Sequence, residues 1–230
     1  MNEYLKLLKS PKLTLIMSLP RNDAELCAAA FDAGADVVKV HLNVHHHASG
    51  THFGRLADEL PAISEMLAHK KGPMGLVPGG SLKDAAQDLD EAAKMPFSFF
   101  SVYAHHASTA FLRCGVPLMA ACDCTYSLDE AAQMEDMGAS ILEASIVPGD
   151  EYGTGLSFRD LLRYRALVKR TNLPVVVPTQ RRVTPDDVPA LIETGVSALM
   201  IGAVVTGHSR EGIVGALKAF RRAIDESVSR

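Results

Sequence analysis

Short apolar runs rich in β-branched and aromatic residues recur eight times along the chain. They lie at Leu13–Leu19, Asp36–Val44, Met74–Val77, Phe97–Tyr103, Pro117–Ala121, Ser140–Ile146, Pro174–Val177 and Ala198–Ile201. Each has the length and composition of a strand. Between them the apolar period becomes helical. Leu161, Tyr164 and Val168 recur at i, i+3 and i+7, and Ile213, Leu217, Phe220 and Ile224 at i, i+4, i+7 and i+11. Asn22-Asp23, Ser81, Ser127 and Thr184-Pro185 supply the cap oxygens or the fixed φ of helix starts. Gly34, Gly115, Gly138 and Gly195 each precede an apolar strand at once, as a left-handed helix stop does. Strands alternating with helices imply parallel βαβ units. Eight of them predict an α/β fold, a single (β/α)8 TIM barrel over residues 1–230, opened by a short helix at about 1–10. The first βα turn, Leu19 to Glu25, has no GxGxxG, which disfavours a doubly wound sheet.

Composition narrows the function classes. The chain has 230 residues, 23 Lys plus Arg against 27 Asp plus Glu, and a net charge of −4. That mild acidity disfavours nucleic acid as a partner. No apolar run approaches the roughly 18 residues of a membrane span, so no membrane partner is expected. Met1 to Lys9 mixes Glu3, Lys6 and Lys9 with three leucines and does not read as a signal peptide, so the expected location is cytoplasmic. Cys27, Cys114, Cys122 and Cys124 show no metal-type spacing and read as reduced thiols.

In a barrel of this kind the chemistry lies at the C-terminal ends of the strands. The polar residues there are Ser18, Lys39, His41, Asn43, Tyr103, His105, Asp123, Glu143, Ser145 and the Thr179-Gln180-Arg181 turn. Strand alternation puts Lys39, His41 and Asn43 on one face and Val38, Val40 and Leu42 on the other, so the polar set faces the interior. A desolvated Lys39 can serve as a base, a Schiff-base nucleophile or an enolate stabiliser. Glu143, between Leu142 and Ala144, is placed to be its acid/base partner or its counter-ion. His41 or Asp123 would polarise the substrate. No cofactor is required on this reading; a divalent metal on His41 and His105 is the open alternative.

The strand-8 turn Ile201-Gly202-Ala203 lets main-chain amides approach an anion, and Ala203–Thr206 reads as a short extra helix behind it. With Thr179, Gln180 and Arg181 this corner, Gly202 and Ala203 included, predicts a phosphate cup. Residues 174–207, VVVPTQRRVTPDDVPALIETGVSALMIGAVVTG and its preceding Pro, resemble the closing segment of the ribulose-phosphate-binding barrel superfamily. Within it the segment is similar to the N-acetylmannosamine-6-phosphate 2-epimerase family. Thr179 stands where that family has its acidic residue. The stretch around His41-Leu42-Asn43 is similar to the metal-binding His-x-Asp of ribulose-phosphate 3-epimerases, with Asn43 in place of the Asp.

The resemblance implies a sugar-phosphate isomerase or epimerase, of the N-acylglucosamine-6-phosphate 2-epimerase type, that moves a proton next to a carbonyl. Two alternatives stay open: an aldolase-type lyase with Lys39 as Schiff base, and a non-catalytic phosphometabolite-binding protein. The expected partner is a small phosphorylated substrate, with room for a homo-oligomer.

Overall fold

The computed structural model describes residues 2–228. Eight strands close into a barrel: β1 (Thr14–Ser18), β2 (Val37–His41), β5 (Met74–Val77), β6 (Phe99–Tyr103), β7 (Leu118–Ala121), β8 (Ile141–Glu143), β9 (Val175–Pro178) and β10 (Ala198–Ile201). All pair in parallel and in chain order, β10 returning to β1 through Thr14↔Ala198. The (β/α)8 fold is therefore established. A two-stranded hairpin, β3 (Val44–His46) with β4 (Thr51–Phe53), is inserted after β2.

The helices are α1 (Glu3–Leu8), α2 (Ala24–Asp32), α3 (Leu56–His69), α4 (Leu82–Gln87), α5 (Leu89–Ala92), α6 (Leu128–Gln133), α7 (Phe158–Arg170), α8 (Val188–Thr194), α9 (Ala203–Thr206) and α10 (Arg210–Val228). The four glycines read as helix stops all adopt positive φ: 105° at Gly34, 81° at Gly115, 101° at Gly138 and 87° at Gly195. One expected helix is missing. Between β6 and β7 the chain makes only two 3-10 turns, Ala104–His106 and Thr109–Leu112. That segment is too short and too polar at its start to lay a full helix along the barrel, and Gly115 stops a turn rather than a helix.

The interior explains where the site must lie. Inward positions at the N-terminal end are apolar: Ile16, Val37, Phe99, Met119, Ile141, Val176 and Ala198 form one buried cluster. Helix α1 closes that end with Tyr4, whose ring stacks on Phe99 at 4.2 Å, and Leu8. Met1, within the predicted helix, lies outside the described residues. Two residues further along most of these strands the inward positions turn polar: Ser18, Lys39, Ser101 and Glu143 are all buried. The outward residues, such as Val38, Val40 and Leu42, join the larger core under the helices.

Candidate active site

A cavity of about 230 Å³ opens above this polar layer at the C-terminal end of the barrel. That is the scale of a small-metabolite site rather than of a macromolecular groove. At its floor Lys39 Nζ lies 3.6 Å from Glu143 Oε2, each residue only 5% exposed. Glu143 is held by two hydroxyls: Ser101 donates to Oε2 at 2.6 Å and Ser145 donates to Oε1 at 2.8 Å. The carboxylate is thus fixed in one orientation, and its charge is shared with donors that carry none themselves.

The hairpin and a loop from the opposite side form the roof. His41, fully buried, packs against His46 at 4.4 Å and Phe53 at 4.7 Å, with its Nε2 3.3 Å from Ser18 Oγ. Burial, then the neighbouring His46 and Lys39, holds His41 well below the usual imidazole range. Burial and Lys39 bring His46 down to about 4. Both rings are therefore neutral near pH 7, and they wall the cavity beside Lys39 and Glu143. His47 reaches across the mouth, its Nε2 3.1 Å from the Gly149 carbonyl and its ring edge-on to Tyr152. The Tyr152 hydroxyl accepts from Gln180 Nε2, and Gln180 Oε1 accepts from the Val147 amide at 3.1 Å. Tyr103, also lining the cavity, meets the hydroxyls of Tyr152 and Ser145; burial pushes its pKa above the usual phenol range.

The structure brings together Lys39, Glu143, His41, Thr179, Gln180 and Gly202 around one space. It does not bring in the others. Asp123 lies outside the cavity: its Oδ1 accepts from Thr125 and its Oδ2 sits 3.1 Å from His105 Nδ1, so it caps a turn and pairs with a rim histidine. His105 is thereby separated in role from His41, and among the described residues no three His, Cys, Asp or Glu side chains are grouped to hold a metal ion. The two histidines that the sequence left open as a metal pair, His41 and His105, are not brought to the same cavity.

The phosphate corner is corrected in part. Arg181, expected at the anion, donates to Glu151 and pairs with Asp160, its Nε 3.1 Å from Asp160 Oδ2. A guanidinium committed to two carboxylates staples the Glu151–Gly155 loop to the end of β9 rather than holding a ligand. The Gly202 amide is also engaged, donating to Thr179 Oγ1 at 3.1 Å. Ala203, at the start of α9, does not line the cavity. Gly202 still contributes space: a Cβ there would reach to 3.5 Å from Ser18 Cβ.

Sequence reasoning missed Ser101 and Tyr152. Ser101 was legible, since it alternates with Phe99 and Tyr103 on β6. Tyr152 was not, because its position depends on how Arg181 and Gln180 anchor a loop. Asn43 alternates as expected but turns away: with φ 51° its amide donates to the Pro78 carbonyl and to Asp88.

No protein-family model and no curated protein matches the sequence. Solved structures do match it in fold. A thiamine phosphate pyrophosphorylase from Pyrococcus furiosus is 15% identical, with TM-score 0.67 over 96% of this chain and 99% of that one. KGPDC from Streptococcus mutans is 13% identical, with TM-score 0.65 over 93% and 98%. A tryptophan synthase chain from Mycobacterium tuberculosis is 12% identical, with TM-score 0.73 over 97% and 99%. At these identities the likeness carries the architecture, with the helix and strand order of the whole chain.

Proposed function

We propose that the chain is an enzyme that moves a proton at a carbon next to the carbonyl of a small phosphorylated metabolite, as a sugar-phosphate isomerase or epimerase does. The buried Lys39–Glu143 pair facing the cavity carries this reading. Abstracting such a proton leaves an enolate, whose charge must be stabilised where it forms. Lys39 Nζ would polarise the carbonyl oxygen and stay beside the developing charge. Glu143 would take the proton and return it to carbon, held in line by Ser101 and Ser145. A positioned acid/base of this kind contributes on the order of 10²–10⁴-fold. The phosphate would sit toward the hydroxyls of Ser18 and Thr179, beside Gly202, which adds no side chain of its own. The similar barrel of a thiamine phosphate pyrophosphorylase supports a phosphorylated ligand by analogy of fold.

A second reading has its own observation. Glu143 at 3.6 Å is the one charged partner of Lys39 Nζ among the described residues, which leaves that nitrogen open to the cavity. An amine so placed can attack a carbonyl and form a Schiff base, as a lyase requires.

Incubation with ketose phosphates and N-acylhexosamine phosphates in deuterated water, followed by NMR, tests the first reading. Exchange at the carbon next to the carbonyl, lost at least ~100-fold in Glu143→Gln, is the expected result. Borohydride trapping tests the second: a reduced adduct at Lys39 by mass spectrometry would replace the isomerase with the lyase. Binding of the same compounds with neither exchange nor adduct would overturn both and leave a binding protein.

A further inference from the structure

The missing fourth helix leaves the outside of the barrel thin at β7. A hollow of about 570 Å³ opens there, lined by Ala121, Cys122, Tyr126, Met134 and Met137, with Asp123 and Glu130 among its polar members. Helix α6 beside it buries only Ala131, and Met137 is 67% exposed. Immediately next to the hollow, helix α7 packs on α6 and presents the opposite feature. Phe158 and Leu162, one turn apart, stand 74% and 52% exposed. They project as an apolar knob, which a free surface does not favour.

The charges on the two features are segregated. Residues 114–158 contain eight Asp or Glu and no Lys or Arg. Five of the eight, Asp123, Asp129, Glu130, Glu135 and Asp136, lie in and around the hollow. Helix α7 then carries Arg159, Arg163, Arg165, Lys169 and Arg170 against a single acid, Asp160. Asp160 is turned inward to Arg181. Arg170 is used within the chain, pairing with Asp129 at 2.6 Å. Arg159 and Arg163, which flank the knob, make no ion pair with any described residue, and neither does Asp136.

We propose that this face is the contact between two copies of the chain, the Phe158–Leu162 knob of each seated in the Tyr126–Met137 hollow of the other. An arginine-flanked apolar knob and a carboxylate-rimmed apolar hollow, side by side on one surface, are self-complementary about a two-fold axis. The apolar centre is of the kind that supplies most of the affinity, and the charges set the register and exclude the parallel mismatch.

Sedimentation of the full chain at about 1–100 µM tests this. A dimer is expected, with its dissociation constant raised on the order of 100-fold by Phe158→Asp and by Leu162→Asp. Met137→Asp in the hollow should weaken it similarly. These side chains are exposed, so unchanged circular dichroism is expected to accompany each variant. The decisive arm mixes the Phe158→Asp and Met137→Asp chains. The first keeps its hollow and the second its knob, so the mixture should form a heterodimer tighter than either variant with itself. A wild-type chain that stays monomeric at 100 µM would overturn the proposal. So would variants that dimerise as well as wild type, or a mixture with no gain. None of these readouts depends on what the cavity binds.

Discussion

Breaking the Lys39–Glu143 pair from one side should cost far more than removing it whole. At 3.6 Å the two charges attract by about 4–5 kcal/mol at an effective dielectric of ~20, and by ~1 kcal/mol in water. Both residues are 5% exposed, yet they face a cavity that water can enter, so the pair lies between these limits. Lys39→Met leaves a buried carboxylate with only Ser101 and Ser145 to stabilise it, and Glu143→Gln leaves a buried ammonium. Each single variant should lose about 3 kcal/mol, the lower end of the range that stranding a buried charge produces. The double variant strands nothing and should return to within about 1 kcal/mol of wild type. Urea unfolding at pH 7 of all four proteins, with m-values compared, measures the coupling as a double-mutant cycle. Single variants that cost under about 0.5 kcal/mol, or losses that simply add, would refute the argument. The recovered double variant, stable but unable to catalyse exchange, would separate the cost of the site from the stability of the fold.

Three further outcomes follow from other contacts. Burial raises Asp160, the Ser157 hydroxyl and amide bring it below the ordinary carboxylate range, and Arg181→Met removes the cation that adds to that depression. A depressed carboxylate adds stability above its unfolded value and loses it as pH falls through the folded one, so the variant should show a shallower acid limb below about pH 4 in thermal melts, and faster hydrogen exchange at residues 149–156. His46, brought down to about 4, takes up a proton in the unfolded chain near pH 6.5 but not in the folded one, so wild-type stability should fall as pH drops from about 6.5 to 4. His46→Gln should flatten that limb by roughly 2 kcal/mol in urea titrations; an unchanged slope would place the ring in water. Gly75→Ala would put a Cβ 2.0 Å from the Phe99 ring, which must then leave its stack on Tyr4. A loss of about 1–3 kcal/mol and a changed near-ultraviolet tyrosine signal are expected.

The barrel was legible because its signals are local and repeated. Strand runs, capping residues and the positive-φ glycines at 34, 115, 138 and 195 depend on a few neighbours each. The floor of the site was legible for the same reason: alternation on β2 and β8 fixes where Lys39 and Glu143 point, whatever the loops do. The rim was not. Arg181 beside Thr179 looks in sequence like an anion grip, and only the approach of Glu151 and Asp160, 30 and 21 residues away, turns it into a staple. Asp123 ends its strand as Glu143 does. Its side chain bonds Thr125 two residues on and so stays at the surface. The fourth helix failed for a related reason: Gly115 marks a stop but not what is stopped.

The same contrast decides which carboxylate can do chemistry. A base for a carbon-bound proton must be dry enough to matter electrostatically, and fixed enough to be in place when the proton is loose. Asp123 meets neither condition: a third of its side chain faces water, and its charge is shared with Thr125 and His105. Glu143 meets both, with its two oxygens pinned by serines on β6 and just past β8, and a cation opposite. His41 is as dry but neutral and uses Nε2 on Ser18, so it shapes the wall beside Lys39 rather than carrying charge. Among the described residues that line the cavity, Glu143 is the one carboxylate. Ser145→Ala should therefore slow exchange by freeing one oxygen of Glu143, while Asp123→Asn leaves it unchanged. Equal loss in both variants would move the chemistry to the rim.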